Sequence, residues 1–225
     1  MDDVLRRSAA HVLVADVAAP VPDDATAHHL RRVLRLRDGE VVTVTDGVGR
    51  WRACRMSSGA LEADGAIVDV TPPGVPVTVA VAPPKGERLE WLVQKCTEVG
   101  VDRLVLLSAE RSVVRWDDER VARQLARLRR IAVEASLQAR RVWLPELSGP
   151  LPATDVLAVA VVAEPGGRPL GPDDATVAIG PEGGWTAAEV AAADGQVSLG
   201  PNVLRVETAA VVAASMMVAA REVVP

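Results

Sequence analysis

Three segments rich in glycine and proline have the composition of ligand-binding loops. They occupy residues 163–167, 180–185 and 199–205, and each follows a short apolar run typical of a buried strand. Ligands of open α/β sheets bind beyond the carboxyl ends of strands, where glycine lets the backbone approach a ligand closely. If the three strands are neighbours, the loops predict one pocket of backbone groups, which suits a nucleoside-like ligand. A tight structural turn is the alternative for each loop alone.

Alternating strand and helix patterns in the second part of the chain must position these loops. One helix begins at Thr186, which has a capping-box partner in Glu189, and stops near Gly195. This alternation predicts an α/β domain with a mostly parallel sheet. The other helical patterns cover 87–99, 117–141 and 207–221, and the strand patterns cover 77–82, 103–108, 156–163, 176–179 and 197–199.

The first part of the chain has the pattern of a small β barrel or sandwich. The turn sequence Asp46-Gly47 joins two of its strands as a hairpin. Three prolines at 72–76 predict a stiff linker, because proline cannot continue a regular element. The expected domains are therefore 1–71 and 77–225. The strand patterns of the first part lie at 41–45, 50–56 and 61–70, and a short helical pattern lies at 27–34.

Composition excludes several classes of protein. The 225 residues are 49% hydrophobic and 24% charged, as in ordinary globular domains, and the formal net charge is -5. The chain is therefore not a basic nucleic-acid binder as a whole. Two distant cysteines, Cys54 and Cys96, suggest neither a disulfide framework nor a metal cluster. The chain has no signal-peptide or membrane-spanning pattern, so we expect a cytoplasmic protein without metal or membrane partners.

Positive charge is concentrated in two stretches. Residues 28–55 contain seven arginines and three acids, a net charge of +4, and residues 120–141 contain seven arginines and one acid, a net charge of +6. Arginine pairs well with phosphate, and local positive patches supply most sequence-independent affinity for nucleic acids. The pattern favours RNA binding, with a solvated helix face as the alternative for residues 120–130.

Several motifs, in a fixed order, make the chain resemble a known enzyme family. The longest are EWLVQKCTEVGV at 90–101, ERSV at 110–113, GPEGG at 180–184 and LGPNVLRVETA at 199–209. Together they resemble the RsmE-type 16S ribosomal RNA uracil-N3 methyltransferases of the SPOUT class, over nearly the whole chain. Single residues add to the resemblance, namely His29, Val33, Leu34, Arg35, Gly39, Glu134, Ala135, Gln138 and Arg141.

The resemblance implies a fold and a set of partners. The fold is an amino-terminal PUA-like β-barrel and a SPOUT α/β domain with a carboxy-terminal trefoil knot at about 156–220. The implied cofactor is S-adenosylmethionine, the substrate is 16S ribosomal RNA of the small subunit at uridine 1498, and the assembly is a homodimer. The implied cofactor-binding residues are Ala163, Glu164, Pro165, Gly180, Pro181, Gly183, Gly184, Leu199, Gly200, Asn202, Leu204 and Thr208. The candidate RNA-binding residues are Arg31, Arg32, Arg35, Arg111 and Arg141.

Methyl transfer to uracil N3 requires the loss of a weakly acidic imide proton and an aligned methyl donor. Arg205 is the first candidate for the catalytic site, because a guanidinium stabilises negative charge that develops on the uracil carbonyls. Glu207 or Glu182 is the candidate proton acceptor. The alternatives are a helix N-terminal acid for Glu207 and a solvent-facing turn acid for Glu182.

Two other functions fit the same motifs. One is SPOUT methylation of a different RNA site, such as a ribose 2′-hydroxyl. The other is a noncatalytic RNA-binding factor for ribosome assembly that kept the fold. The intact glycine loops and Arg205 favour the enzyme.

Overall fold

The computed structural model describes residues 2–223, so residue 1 and residues 224–225 of the predicted domains lie outside the described residues. The chain divides into two compact units. The first contains the chain up to residue 73 together with residues 136–144, and the second contains residues 74–135 and the chain from 145 onward. The sequence pattern alone assigns 136–144 to the α/β domain.

A five-stranded sheet forms the centre of the first unit. Its strands are β1 (Ala10–Leu13), β2 (Val41–Thr45), β3 (Arg50–Ser57), β4 (Ala60–Ala63) and β5 (Val68–Asp69). Its helices are α1 (Asp3–Arg7) and α2 (Asp24–His28), which continues as a π-helical turn over His29–Val33. Strand β1 pairs in parallel with β2, whereas β3 runs antiparallel to β2, β4 and β5.

The strand patterns of the first unit are confirmed with one exception. The predicted strand at 61–70 is two strands, because Asp64 and Gly65 leave the ladder between β4 and β5. The sequence pattern also misses β1 and α1. Val42 and Val44 of β2 are fully buried, and Trp51 of β3 packs with Val142 in the core. Trp51 is therefore a core residue, as its place on a strand indicates.

A six-stranded parallel sheet forms the centre of the second unit, as the alternating pattern predicts. Its strands are β6 (Thr78–Val81), β7 (Arg103–Ser108), β8 (Glu146–Pro152), β9 (Val161–Pro169), β10 (Thr176–Ile179) and β11 (Gly195–Ser198). They lie in the order β11-β9-β10-β6-β7-β8, and every pair is parallel. Its helices are α3 (Arg88–Val99), α4 (Asp118–Gln138), α5 (Thr154–Leu157), α6 (Ala187–Ala192) and α7 (Val206–Val223).

The main departure from the sequence pattern lies in the apolar run at 156–163, which predicts one buried strand. The structure ends α5 at Leu157, leaves Val159 71% exposed and begins β9 only at Val161. Strand β9 continues to Pro169, but residues 163–167 have no register partner in β10 or β11, so they form an irregular segment within the strand where the sequence predicts a loop. Strand β8 is also absent from the sequence pattern.

Helices α3 and α7 pack against each other beside the sheet. The buried stripe of α3 includes Leu92, Val93 and Cys96, as its helical spacing predicts. Gly100 ends α3 with a left-handed φ of 117°, the conformation that favours glycine at a C-cap. No helix within residues 2–223 is long and apolar enough to cross a bilayer.

A buried histidine joins two parts of the first unit that are distant in sequence. The Nδ1 atom of His11 lies 2.9 Å from the Thr43 hydroxyl, and Nε2 lies 3.2 Å from the Arg141 carbonyl oxygen. A carbonyl oxygen only accepts, so Nε2 donates in this arrangement. Burial, together with the charge of Arg140, outweighs the two hydrogen bonds and lowers the pKa of His11 from 6.5 to about 4.

This histidine should make the first unit sensitive to acid. The unfolded chain binds a proton at His11 more readily than the folded chain between pH 6.5 and 4, so stability is complete above that window and is lost as the pH falls through it. We expect a loss of about 3 kcal/mol in the free energy of unfolding from this residue. Urea denaturation at pH 7, 5.5 and 4 measures it, with His11→Gln as the control. Equal acid sensitivity in both proteins would contradict the assignment.

Candidate functional site

A cavity of about 350 Å³ lies at the carboxyl end of the parallel sheet, between the adjacent strands β9 and β11. The outer half of β9 forms one wall, and the loop after β11 forms the other. Apolar side chains and backbone groups dominate the lining, so the cavity matches the backbone-rich pocket that the loop sequences predict. Its lining residues are Ala163, Glu164, Pro165, Gly166, Ser198, Leu199, Gly200, Pro201, Asn202, Val203, Leu204 and Ala209.

The backbones of β9 and β11 touch at the base of this cavity. A Cβ atom on Gly167 would lie 2.6 Å from the Val197 backbone nitrogen, which no real side chain tolerates. The strand register also shifts between Gln196 and Val197. Only glycine lets β11 lie this close to β9, and that contact fixes the distance between the two walls.

The glycine loop at 180–185 is not among the residues that line this cavity. It follows β10, the other neighbour of β9, but its backbone faces protein side chains. A Cβ atom on Gly180 would lie 3.0 Å from the indole of Trp185, and one on Gly183 would lie 3.2 Å from the Cβ of Arg111. Of the residues that the resemblance implies as cofactor-binding, those outside the lining are Gly180, Pro181, Gly183, Gly184 and Thr208.

Two hydrogen bonds from Arg111 and the buried indole of Trp185 hold the 180–185 loop. Arg111 donates from Nη1 to the carbonyl oxygens of Gly183 and Trp185, both at 3.2 Å. Trp185 is 6% exposed and packs in the apolar core below the sheet edge. The sequence leaves Trp185 open between core and ligand contact, and the structure makes it a core residue.

A second cavity, of about 480 Å³, contains two of the three candidate catalytic residues. Arg205 and Glu207 lie in its lining with Thr208, opposite Glu87, Arg88 and Trp91 from the start of α3. Glu182 is exposed on the turn after β10 and lines neither this cavity nor the first. The structure therefore brings Arg205 and Glu207 together and leaves Glu182 apart.

The Glu207 carboxylate is a largely buried acid in the lining of the second cavity. Its side chain is 13% exposed, and its Oε1 atom lies 3.8 Å from Nε of Arg88. The Oε2 atom is buried and has no hydrogen-bond partner among residues 2–223. A buried carboxylate oxygen without a hydrogen-bond donor is energetically costly, and a ligand in the cavity reaches this atom only if the lining moves.

Arg88 and Trp91 are site residues that the sequence reasoning misses. Trp91 belongs to the EWLVQKCTEVGV motif, and its side chain is 45% exposed although its helical neighbours Leu92 and Val93 are fully buried. The signal for Trp91 is its position off the buried stripe of α3, where a tryptophan is not needed for packing. Nothing in the sequence pairs Arg88 with Glu207, because 119 residues separate them.

One chain segment forms a wall of both cavities. Leu204 and Ala209 line the first cavity, whereas Arg205, Glu207 and Thr208 line the second. The segment enters α7 at Val206, and the Arg205 carbonyl accepts the first helical hydrogen bond from Ala209 at 2.8 Å. The two cavities therefore share residues 204–209 as neighbouring parts of their walls.

The candidate RNA-binding arginines divide between exposed and engaged positions. Arg31 and Arg32 are exposed beside Asp24 and His28 around a cavity of about 490 Å³ in the first unit, and Arg35 is exposed with a left-handed φ of 53°. In the basic stretch at 120–141, three of the seven arginines form ion pairs with acids and two others donate to carbonyl oxygens. These contacts are Arg123–Glu119, Arg127–Glu90, Arg130–Glu134, Arg129 to the Leu147 carbonyl and Arg140 to the Ser8 carbonyl.

Comparisons with known families agree with this architecture. The model of an RNA methyltransferase domain matches residues 71–218, and the model of an RNA methyltransferase PUA domain matches residues 22–64. Proteins named ribosomal RNA small subunit methyltransferase E are similar along most of their length. The Synechocystis protein is 34% identical over 213 residues, covering 84% of this chain and 69% of its own. The Mycobacterium tuberculosis protein is 35% identical over 222 residues, covering 87% and 84%.

Solved structures of such proteins share the fold. A Legionella pneumophila methyltransferase with bound cofactor SAM superposes with a TM-score of 0.79 at 28% identity, covering 95% of this chain and 98% of that one. A Neisseria gonorrhoeae ribosomal RNA small subunit methyltransferase E bound to S-adenosyl methionine gives a TM-score of 0.76 at 26% identity, covering 92% and 96%. Among residues 2–223, no group of three or more His, Cys, Asp or Glu side chains is arranged to hold a metal ion.

The contact between β9 and β11 predicts a sharp difference between two adjacent glycines. Gly167→Ala places a methyl group against the Val197 backbone and should lower the free energy of unfolding by about 3 kcal/mol. Gly166→Ala meets nothing within 4 Å and carries only the cost of a left-handed φ of 85°, about 1 kcal/mol. Urea denaturation of both variants measures the difference. Equal losses in the free energy of unfolding of the two variants would show that the position of β11 does not require glycine at 167.

Proposed function

Because this chain belongs to the ribosomal RNA small subunit methyltransferase E family, we propose that it transfers the methyl group of S-adenosylmethionine to N3 of a uridine in 16S ribosomal RNA. The observation that carries the proposal is the pair of cavities on either side of residues 204–209. A methyl-transfer enzyme must hold a donor and an acceptor side by side. One cavity is lined by apolar and backbone groups, and the other is lined by charged side chains.

The cofactor fits the first cavity. Its volume of about 350 Å³ is within the range of small-molecule sites, roughly 300–1,000 Å³. Leu199, Leu204 and Ala163 offer apolar contact to an adenosine, and the backbone from 198 to 203 offers peptide groups for its polar edge. Gly200 has a left-handed φ of 139° and open space where a side chain would stand, so a ligand can lie against its backbone. The bound cofactor supplies an electrophilic methyl group on a sulfonium.

The uracil fits the second cavity, where Arg205 and Glu207 act on it. Glu207 lines this cavity and accepts the N3 proton at its carboxylate, while Arg88 lies 3.8 Å from one carboxylate oxygen, Oε1. Arg205 faces the uracil carbonyls and stabilises the negative charge that develops as the proton leaves. Glu182, exposed and outside both cavities, has less support as the proton acceptor.

In this proposal, the exposed arginines of the first unit bind the ribosomal RNA. Arg31, Arg32 and Arg35 are exposed, and none of them has an acidic partner in an ion pair among the described residues. Phosphate contacts of this kind fix orientation and do not read sequence. Arg141, whose carbonyl oxygen binds the buried His11, remains a proposed RNA contact through its side chain.

The assembly we propose is a cytoplasmic homodimer with a trefoil knot within residues 156–220. Support for the dimer comes from apolar side chains that α3 and α7 leave exposed, namely Trp91 at 45% and Met216 at 37%. The two helices already pack against each other within one chain. A second copy would cover a face next to the second cavity.

The proposed function is tested on small ribosomal subunits from a strain that lacks the gene. We expect the purified protein and S-adenosylmethionine to form N3-methyluridine at one position, located by mass mapping of RNA fragments. A 2′-O-methyl product would assign the chain to a different SPOUT reaction. Cofactor binding without methyl transfer would support the noncatalytic assembly factor.

Arg205 should contribute to the chemical step more than to folding. We expect Arg205→Ala to keep its melting temperature and its S-adenosylmethionine affinity, because Arg205 is exposed and lines only the second cavity. Its single-turnover rate at saturating subunit should fall by about a hundred- to a thousand-fold, the usual cost of a lost charge-stabilising contact. Arg205→Lys should recover part of the rate, since a point charge does not reproduce the planar fork. A near-normal rate with weaker subunit binding would make Arg205 an RNA contact.

A further inference from the structure

We propose that Arg111 is a positioning residue that, with Glu189, holds the 180–185 loop, which follows β10, the neighbour of the cavity strand β9. Arg111 lies in the ERSV motif and is one of the candidate RNA-binding residues. In the structure its guanidinium donates to the protein backbone. The inference rests on the proposed function for its effect on the cofactor, but the contact itself is independent of any ligand.

Arg111 joins two loops that follow different strands. It lies just after β7, in a turn fixed by hydrogen bonds between Ala109 and Ser112 in both directions, at 3.0 Å each. From there a single nitrogen, Nη1, reaches the carbonyl oxygens of Gly183 and Trp185. A Cβ atom on Gly183 would lie 3.2 Å from the Cβ of Arg111. The glycine loop therefore rests directly on this side chain.

Glu189 forms the second link between the same two loops. Its side-chain Oε1 atom accepts a hydrogen bond from the Glu110 backbone nitrogen at 2.9 Å. Its Oε2 atom accepts from the backbone nitrogen and the hydroxyl of Thr186, at 2.9 and 3.0 Å. Glu189 is 5% exposed. The carboxylate thus completes a capping box and, in addition, ties the turn after β7 to the start of α6.

The positive charge of Arg111 favours the ionised form of Glu189. Burial opposes ionisation of Glu189, but the hydrogen bonds from Thr186 and Glu110 and the charge of Arg111 outweigh it and lower the pKa of this carboxyl. A carboxylate that is mostly buried and fully hydrogen-bonded is a rigid anchor. Arg111 and Glu189 therefore hold residues 183–189 at both ends.

Besides these two links, the loop is held by its own turn and by the buried Trp185. Among the described residues, its internal backbone hydrogen bond joins the Gly184 nitrogen to the Pro181 carbonyl oxygen at 2.8 Å. The Trp185 ring packs on Gly180, yet its Nε1 atom is buried without a hydrogen-bond partner among residues 2–223. Strand β10, which the loop follows, is the neighbour of β9 in the sheet. Displacement of the loop would therefore act on the cavity through β10 and its paired neighbour β9.

The test compares Arg111→Ala, Arg111→Lys and Glu189→Gln with Arg115→Ala, an exposed arginine in the same connection between β7 and α4. Three quantities are measured on the full chain: amide hydrogen exchange of residues 182–186 without ligand, S-adenosylmethionine affinity by calorimetry, and affinity for small ribosomal subunits. In Arg111→Ala we expect exchange at least ten times faster and cofactor affinity about ten times weaker, with subunit affinity within twofold of wild type.

The conservative variants separate positioning from simple loss of structure. Arg111→Lys should recover part of the exchange protection and of the cofactor affinity, because a lysine reaches one carbonyl but not both in the same geometry. Glu189→Gln should accelerate exchange at Thr186 and leave the melting temperature close to that of Arg115→Ala. These two variants also decide the question if Arg111→Ala does not fold.

Two results would overturn the proposal. Weaker subunit binding in Arg111→Ala, with unchanged loop exchange and cofactor affinity, would make Arg111 an RNA contact. Equal behaviour of Arg111→Ala and Arg115→Ala in all three measurements would remove it from the site. If the wild-type protein bound no S-adenosylmethionine, the proposed function would fail, and the exchange data alone would still decide whether Arg111 holds the loop.

Discussion

The contact between the backbones of β9 and β11 at Gly167 is the constraint on which the site depends. Strand β11 pairs only with β9, so it is the edge strand of the parallel sheet, and its position is set by this one neighbour. The shift of register at Val197 bends the edge, and the loop that follows turns back over β9. A cavity between two adjacent parallel strands needs such a departure from regular pairing, since a regular ladder would fill the space with backbone hydrogen bonds.

The segment from 204 to 209 contributes side chains to two different cavities. Consecutive residues of an irregular chain point to different sides, and here Leu204 and Arg205 lie in the linings of different cavities. The start of α7 continues the division, because Glu207 and Ala209 lie on different sides of the first helical turn. Apolar and charged linings thus alternate along one short segment. In the proposed function, this alternation lets one short motif contact both the cofactor and the base.

Much of this fold follows from the sequence, and the exceptions have physical causes. Strands such as β2, β7 and β10 are bounded by turn residues and have β-branched or aliphatic runs, so periodicity finds them to the residue. The sequence wrongly predicts one strand at 156–163, because an apolar run does not show which of its residues are buried. In the structure, Leu157 ends helix α5 and Val161 begins strand β9. The two cavity walls could be predicted from glycine-rich motifs. The pairing of Arg88 with Glu207 and of Arg111 with Gly183 depends on the order of the strands, which no local pattern contains.

The division of the chain into units also has a consequence for synthesis. Residues 136–144 belong to the first unit, where the Arg141 carbonyl accepts from His11 and Val142 packs on Trp51. The amino-terminal unit is therefore not a contiguous stretch of chain that a proline-rich linker simply ends. During translation, the small cluster of Leu5, Trp51 and Val142 cannot form until residues 142–144 have emerged from the ribosome, after β6, α3, β7 and α4 have already been made. A fragment that stops at residue 73 would lack part of its own interior.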